Sequence, residues 1–293
     1  MRDYLVKSMA YHGTVRAFAV DASGVVAEAQ RRHGTWSASS AALGRTLVAT
    51  LLMSTAGLQD EQKMTVKVLG NGPAGAIVAD GNAHGTVKGY IQNPHVHLPL
   101  NEKKHIDVRG AVGTAGTIAV TKDLGLAQPF TGQTPIVSGE LGDDFTYYMA
   151  SSEQIPSAVG VSVFVNPDNT IEVAGGFLIE MMPGADDEVA ADLEAKLKTI
   201  PLVSESLRQG KTPEMILQEI FGTDLEILDT LPVAFKCDCS KARFGKSIAA
   251  LKPTEIQAMI DEDHGAEAVC QFCGTKYQFS AAELQTLKDN YEG

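Results

Sequence analysis

The chain of 293 residues has few cysteines, few aromatic residues and no long apolar run. Four cysteines are too few for a disulfide-stapled scaffold of this length. Residues 1–13 lack the apolar stretch of about 7 to 15 residues found in secretion signals, and no run of about 18 apolar residues is free of charge. We therefore expect a cytoplasmic protein without a membrane partner, whose thiols meet a reducing environment.

Positive charge is scarce as well. The 24 Lys and Arg residues oppose 36 Asp and Glu residues, which gives a net charge of -12. Residues 181–293 hold most of this excess, with 11 basic and 20 acidic side chains. Nucleic-acid affinity comes largely from Lys and Arg side chains that neutralise phosphates. We therefore expect no nucleic-acid partner.

Residues 1–180 are predicted to form a strand-rich core domain of the α+β class. Short segments rich in Val and Ile alternate with turn signals, which is typical of antiparallel sheet. The predicted strands are residues 14–20, 24–30, 64–70, 75–80, 85–91, 159–165 and 170–181. Ser37 to about Ala56 lacks proline and places leucines at helical spacing, which predicts one helix packed on the sheet.

Residues 181–232 are predicted to be a helical linker. Residues 185–200 combine acidic residues at their start with apolar residues at helical spacing. A second helix is expected to begin at the N-cap Thr212, with Pro213 in its first turn, and to stop at Gly222. Helices this short are marginal alone, so their apolar faces need a surface to cover.

Residues 233–293 are predicted to be a small zinc-binding module. All four cysteines fall here in the pattern C-x-C, thirty residues, C-x-x-C: Cys237, Cys239, Cys270 and Cys273. Four thiolates complete a tetrahedral zinc shell, and Gly274 suits the turn of a zinc knuckle. Buried apolar cysteines would not explain the two close pairs, whereas a static zinc ribbon stays open as an alternative.

Metal binding and folding are expected to be coupled in this module. About 60 residues is near the lower limit for folding on an apolar core alone, and a structural zinc site can contribute about 10 kcal/mol or more. Peroxide and similar oxidants attack thiolates. Oxidation is therefore expected to eject the metal and unfold the module.

Several segments carry a family resemblance. The sequences "FKCDCS" and "CQFCGTKYQF" around the cysteines, "RRHGTW" at residues 31–36 and "YYMASSEQIPSAVGVSV" at residues 147–163 are similar to the redox-regulated thirty-three-kilodalton heat-shock protein family. The resemblance covers essentially the whole chain, and the cysteine spacing is its most specific part.

The resemblance implies an ATP-independent holdase chaperone rather than an enzyme. In that family the zinc-bound form is inactive, and oxidation forms disulfides within each close pair, here Cys237–Cys239 and Cys270–Cys273. Zinc is released, the linker loses its structure, and exposed hydrophobic surface captures unfolding client proteins. The active form is commonly a homodimer, and an ATP-driven foldase system later takes over the clients.

The linker is a candidate for masking the client-binding surface. Its apolar residues at helical spacing would line a covered face that becomes free when the zinc module unfolds. The residues in this hypothesis are Val189, Leu193, Leu197, Met215, Ile216, Ile220 and Phe221. Ordinary core packing explains the same spacing, so both readings stay open.

Other signals are weaker. A G-x-G-x-x-G motif begins at Gly70, but Pro73 interrupts it and no helix is predicted to follow, so a hairpin turn is expected. His95 and His97 lack an evident third ligand, and His264 is a substitute zinc ligand only if a cysteine is not used. The alternative function is a static zinc-ribbon adaptor that binds a partner without redox switching.

Overall fold

The computed structural model describes residues 3–289. These residues form two compact units that divide between Lys236 and Cys237. The first unit contains both large sheets and the helices of the linker. The second unit contains all four cysteines.

The strands are β1 Tyr4–Ala10, β2 Val15–Asp21, β3 Lys63–Gly70, β4 Ala76–Asn82, β5 Thr86–Ile91, β6 Gly116–Asp123, β7 Phe130–Pro135, β8 Ser157–Val165, β9 Ile171–Met181, β10 Glu226–Pro232, β11 Ala234–Phe235, β12 Gly265–Val269 and β13 Lys276–Ser280. The helices are α1 Ser23–His33, α2 Ser37–Gly57, α3 Val108–Val112, α4 Gly142–Tyr148, α5 Asp187–Leu197, α6 Val203–Arg208, α7 Pro213–Phe221, α8 Lys241–Ala249, α9 Pro253–Asp261 and α10 Ala281–Asp289. A π-helical turn, Met149–Glu153, follows α4.

The first unit is built from two sheets. One has the strand order β10-β1-β2-β9-β8, and the other has the order β11-β5-β4-β3-β6-β7. The strand pairs are antiparallel apart from β11, which pairs in parallel with β5. The predicted α+β class with antiparallel sheet is therefore confirmed.

Helix α2 lies between the two sheets. It contacts β4 and β5 on one side and β8 and β9 on the other, so most of its residues are buried. Its buried hydroxyls need partners in this apolar setting, and those of Thr46, Thr50 and Thr55 bond to carbonyls one turn back. The predicted helix from Ser37 is confirmed, and it extends to Gly57.

The predicted strand at residues 24–30 is wrong, because this segment lies inside α1. Val25, Val26 and Ala29 fall on one face of the helix and are buried. The helix ends where Gly34 takes a left-handed conformation with φ of 60°. The β-branched residues suggested a strand, but burial of a helical face decides the structure.

In the five-stranded sheet, β1, β2 and β9 contribute to buried clusters on both faces. In β1, Leu5 joins the cluster around α2, whereas its neighbour Val6 joins a second cluster on the opposite face. Strand alternation produces this division. Helices α6 and α7 pack against β9 and β2 on that opposite face, so these two helices of the predicted linker cover the sheet.

The second unit consists of the β12–β13 hairpin with α8, α9 and α10. Its buried apolar cluster comprises Ile248, Ile256, Phe279 and Leu284. Such a small core contributes little to stability in a module of this size.

One further feature agrees with an expectation. The glycine motif that begins at Gly70 forms the connection of the β3–β4 hairpin, and β4 rather than a helix follows it. Within residues 3–289, no helix combines the length and the apolar character needed to cross a membrane.

Candidate metal centre and linker helices

The four cysteines come from two short connections of the second unit. Cys237 and Cys239 lie between β11 and α8, and Cys270 and Cys273 lie between β12 and β13. Cys270 and Cys273 are buried, whereas Cys237 and Cys239 are half-buried. The fold therefore brings together residues more than 30 positions apart.

The sulfur atoms have the spacing of a tetrahedral metal site. All four Sγ atoms lie within 4.8 Å of one another. The Sγ atoms of Cys237 and Cys270 are 3.8 Å apart, and those of Cys239 and Cys273 are 3.3 Å apart. Sulfurs at about 2.3 Å from a tetrahedral ion would be about 3.8 Å apart, whereas a disulfide requires about 2.0 Å. The cysteines are free thiols whose arrangement fits a thiophilic metal ion.

The second cysteine pair is shaped by a tight turn. The N–H of Gly274 donates to the carbonyl of Cys270 at 2.7 Å, and the N–H of Cys270 donates to the carbonyl of Thr275 at 2.9 Å. Gly274 has a φ of 71°, which a residue with a side chain adopts only at a cost. The expected glycine turn after Cys273 is confirmed.

The thiols have different acidities in this cluster. Burial raises the pKa of Cys237 and of Cys270. Burial also acts to raise the pKa of Cys273, but hydrogen bonds from the side chain and backbone of Thr275 outweigh it and lower that pKa to about 6. Hydrogen bonding therefore favours the thiolate form of Cys273, whereas burial disfavours that form at Cys237 and Cys270.

Two hydroxyl groups contact the sulfurs, and sequence reasoning missed both. The Thr275 hydroxyl lies 3.2 Å from the Sγ of Cys273. The Tyr277 hydroxyl lies 3.2 Å from the Sγ of Cys239, and this hydrogen bond raises the pKa of Tyr277 to about 12. Both residues belong to "CQFCGTKYQF", but nothing in that sequence alone links Tyr277 to a cysteine 38 positions earlier.

His264 and two basic residues near the cysteines do not join the cluster. Among residues 3–289, the only group of three or more potential metal-ligating side chains is the four cysteines, so His264 is not included. Arg243 pairs with Asp238 at 2.7 Å, and Lys241 pairs with Glu283. These cations therefore pair with carboxylates of the same unit.

Most of the predicted masking residues face the five-stranded sheet. Leu193, Ile216, Ile220 and Phe221 are buried in the cluster on its outer face, and Val189 and Leu197 are half-buried against it. The prediction that Met215 lines the covered face is wrong, because its side chain is 50% exposed. Helix α7 directs Ile216 and Leu217 to the sheet. Met215 precedes Ile216 by one residue, which rotates its side chain by about 100° around the helix and away from the sheet.

Helix α6 supplies the cover that the sequence analysis missed. Val203 and Leu207 are buried against β9. A Cβ atom at Gly175 of β9 would lie 2.7 Å from Leu207 Cδ1, so the glycine allows this close approach. The four-residue spacing of Val203 and Leu207 is the sequence signal for this buried helical face. The signal is weak because the helix has only six residues.

Polar contacts also fasten the linker to the sheet. Tyr11, next to β1, donates to Asp192 of α5 and accepts a hydrogen bond from Lys196 at 2.9 Å. Tyr4 of β1 donates to Glu214 of α7 at 2.8 Å. Several of these groups are exposed, so each bond adds little to stability, and apolar burial remains the main attachment.

Taken together, the two-sheet unit with a buried central helix and the four-thiol unit define a two-unit protein with a cysteine cluster suited to a metal ion. The family model described as "Hsp33 protein" matches residues 3–280. The chain belongs to the Hsp33 family, which confirms the resemblance stated from the cysteine spacing.

Relatives match over nearly the full chain. The 33 kDa chaperonin of Lactiplantibacillus plantarum is 62% identical over 293 residues, which cover 100% of this chain and 99% of the relative. That of Bacillus subtilis is 57% identical over 287 residues, 98% of each chain. The crystal structure of the 33 kDa chaperonin from Thermotoga maritima has a TM-score of 0.92 and 36% identity, covering 99% of this chain and 98% of that chain.

Proposed function

We propose that this chain is an ATP-independent holdase chaperone that oxidation switches on. In this proposal residues 233–293 are the redox switch, residues 181–232 are the linker, and residues 1–180 carry the client-binding surface. Relatives named 33 kDa chaperonin over nearly the whole chain support it. The observation that carries the proposal is the set of four sulfurs within 4.8 Å in a unit with a very small core.

Zinc is the metal that best suits this donor set. Four cysteine thiolates form a soft, closed shell, which is typical of structural zinc. A bound zinc ion would hold the sulfurs as thiolates and tie the segment before α8 to the β12–β13 turn. Because structural zinc contributes about 10 kcal/mol or more to folding and the apolar core is small, metal binding and folding of the unit are one equilibrium.

Oxidation by peroxide accounts for the switch. In each pair one thiolate attacks peroxide, so that a sulfenic acid forms and hydroxide leaves. The second thiolate then displaces hydroxide from the sulfenic sulfur, and the S–S bond forms. Each disulfide, Cys237–Cys239 and Cys270–Cys273, thus gives two electrons to one peroxide, which with two protons becomes two waters. The thiolate ligands are lost, and the metal is released.

Unfolding of the switch would free the chain that precedes it. Strand β11 ends two residues before Cys237, and its pairing with β5 involves only Ala234 and Phe235. Strand β10, just before it, is an exposed edge strand on β1. We infer that loss of the metal loosens these strands and then α5 to α7. The apolar sheet face around Ala19, Phe177 and Ile179 becomes the client-binding surface.

The remaining parts of the proposal follow the family resemblance. The active form is a homodimer in the cytoplasm, it binds neither nucleic acid nor membrane, and it passes clients to an ATP-driven foldase system. The net charge of -12 supports this role, because self-repulsion keeps a chain with exposed apolar surface in solution.

The experiment follows metal release and chaperone activity together. The reduced, zinc-loaded protein is treated with hydrogen peroxide at a mildly unfolding temperature, and zinc release is followed with a chromophoric chelator. Light scattering of a denatured client is measured in parallel. We expect scattering to be suppressed after zinc release and not before, and reduction with zinc to restore the inactive form.

Disulfide mapping tests the pairing. The Cys237–Cys270 and Cys239–Cys273 contacts run between the two pairs, whereas the proposed disulfides lie within each pair. Peptide mapping of the oxidised protein should find Cys237 joined to Cys239 and Cys270 joined to Cys273. Zinc release without suppression of scattering would reject the chaperone and favour the static zinc-ribbon adaptor.

A further inference from the structure

The hydroxyl of Tyr277 contacts Cys239 at two atoms. It lies 3.2 Å from the Sγ and 3.1 Å from the carbonyl oxygen of the same residue. A tyrosine hydroxyl has one proton, and a thiolate is a charged acceptor that forms a stronger bond than a neutral carbonyl does. When Cys239 is a thiolate, the proton is therefore directed to the sulfur.

The ring of Tyr277 is held in place independently of this hydrogen bond. Tyr277 lies in β13, where it pairs with Ala268 of β12. Its ring packs against that of Phe244 of α8, with 5.2 Å between the ring centroids and 36° between the ring planes. The register of β13 thus presents the hydroxyl, so it can position Cys239 rather than follow it.

The contact also joins the two halves of the cysteine cluster. Cys239 belongs to the segment before α8, whereas Tyr277 belongs to the hairpin whose turn carries Cys270 and Cys273. By contrast, the hydroxyl that contacts Cys273 comes from Thr275, two residues away in the same turn. Tyr277 therefore fixes the first cysteine pair beside the second one, which a local contact cannot do.

We propose that Tyr277 is a positioning residue of the thiolate cluster, whose hydroxyl holds Cys239 beside the second cysteine pair and slows oxidation of its sulfur. The hydrogen bond occupies a sulfur lone pair and withdraws charge from it. That lone pair must attack peroxide, so its nucleophilicity falls. Once Cys239 is in a disulfide, its sulfur is a weak acceptor, and the same proton can turn to the carbonyl oxygen 3.1 Å away.

This inference rests on the proposed metal-bound switch and adds a control on its threshold. Partners of metal ligands typically contribute 10- to 100-fold to metal affinity. Tyr277→Phe keeps the ring on Phe244 and removes only the hydroxyl. We expect zinc affinity, measured by competition with a chromophoric chelator, to fall about 10-fold.

Two further readouts report on the sulfur itself. With cobalt(II) in place of zinc, the thiolate-to-metal charge-transfer band of Tyr277→Phe should move to longer wavelength, because the sulfur lone pair loses a hydrogen bond. Zinc release by peroxide should become several-fold faster. Tyr147→Phe removes an exposed tyrosine hydroxyl from the first unit and serves as the matched control.

Phe244→Leu separates packing from hydrogen bonding. It removes the packed ring and keeps the hydroxyl, so the cobalt band should stay near its wild-type position. A band that moves equally in Phe244→Leu and Tyr277→Phe would overturn the inference, as would Tyr277→Phe with wild-type affinity, spectrum and release rate. In that second case the chaperone proposal would stand. A wild-type chain that binds neither zinc nor cobalt(II) would overturn both the proposed redox switch and the role of Tyr277.

Discussion

The backbone N–H of Ser204, in the first turn of α6, donates to the Oγ of Ser162 in β8 at 2.7 Å. Both residues are buried. This bond joins the linker to the core sheet at a position that water does not reach, beside the close approach of Leu207 to Gly175. A buried donor that loses its acceptor carries a cost of about 1–3 kcal/mol.

Ser162→Ala should therefore loosen α6 while the metal centre stays intact. We expect faster hydrogen exchange of the amides in Val203–Arg208 and faster proteolysis of residues 181–232 in the zinc-bound protein. Ser157→Ala is the matched control, because that hydroxyl donates to the carbonyl of Ile155 rather than to the linker. Equal exchange in the two variants would mean that the hydrogen bond does not hold α6.

Helix α7 offers a direct test of masking with two adjacent residues. Ile216 is 5% exposed and Met215 is 50% exposed. Burial of an aliphatic side chain of this size contributes about 2 kcal/mol or more, so Ile216→Ser should detach α7 from the sheet. The reduced, zinc-bound variant should then suppress aggregation of a denatured client, and Leu193→Ser should act in the same direction.

Met215→Ser is the control for this prediction, since it makes a similar change on the outer side of the same helix. It should leave the reduced protein inactive. If Ile216→Ser also leaves it inactive although proteolysis shows that α7 is detached, the face under the linker is not the client-binding surface.

The cysteines of the candidate site could be predicted because the residue spacing that indicates them lies within two short segments of sequence. The spacing within Cys237–Cys239 and Cys270–Cys273, together with Gly274, indicates the ligands and one of the turns. Tyr277 escaped prediction because its role depends on how the hairpin meets the segment before α8. Met215 was misplaced for a related reason, since a helix of nine residues allows more than one apolar face until its partner surface is known.

The fold was predictable where the pattern within one segment decided the structure. Helix α2 and six of the seven predicted strands are such cases. The segment of α1 is the exception, because Val25 and Val26 indicate a strand although the segment is helical. Strand β10 was missed because every residue but one is exposed, so it has no alternation to detect. Its partner, β1, lies more than 200 residues earlier, and only tertiary pairing explains it.

Loss of the metal should unfold the second unit selectively. Removing one ligand by Cys270→Ser, or removing zinc with a chelator, leaves the small cluster around Ile256 and Leu284 without a cross-link. We expect amide protection to be lost throughout residues 237–289, whereas α2 keeps its protection between the two sheets. Readdition of zinc should restore protection in the wild type and not in Cys270→Ser. Full protection in the chelated protein would show that the unit folds without metal.

The ion pairs of Glu28 in α1 should make the stability of the first unit depend on pH in the acid range. The hydrogen bond from Arg31 at 2.8 Å, together with the charge of Arg32, lowers the pKa of Glu28 from 4.5 to about 2. Because the folded state depresses this pKa, the ion pairs stabilise the fold fully above about pH 4.5, and the contribution is lost as the pH falls towards 2. Arg32 also lies over the ring of Phe235 in β11, at 5.4 Å.

Glu28→Gln should therefore lower the free energy of unfolding at pH 6 and change it less at pH 3. Fluorescence of Trp36, the single tryptophan, reports unfolding of the first unit without interference from the metal site. Glu194→Gln, an exposed change in α5, controls for the loss of one negative charge. The lowered pKa of Glu28 requires the difference in unfolding free energy between wild type and Glu28→Gln to shrink on acidification. A difference that grows as the pH falls would contradict the stabilising role of the Glu28 ion pairs.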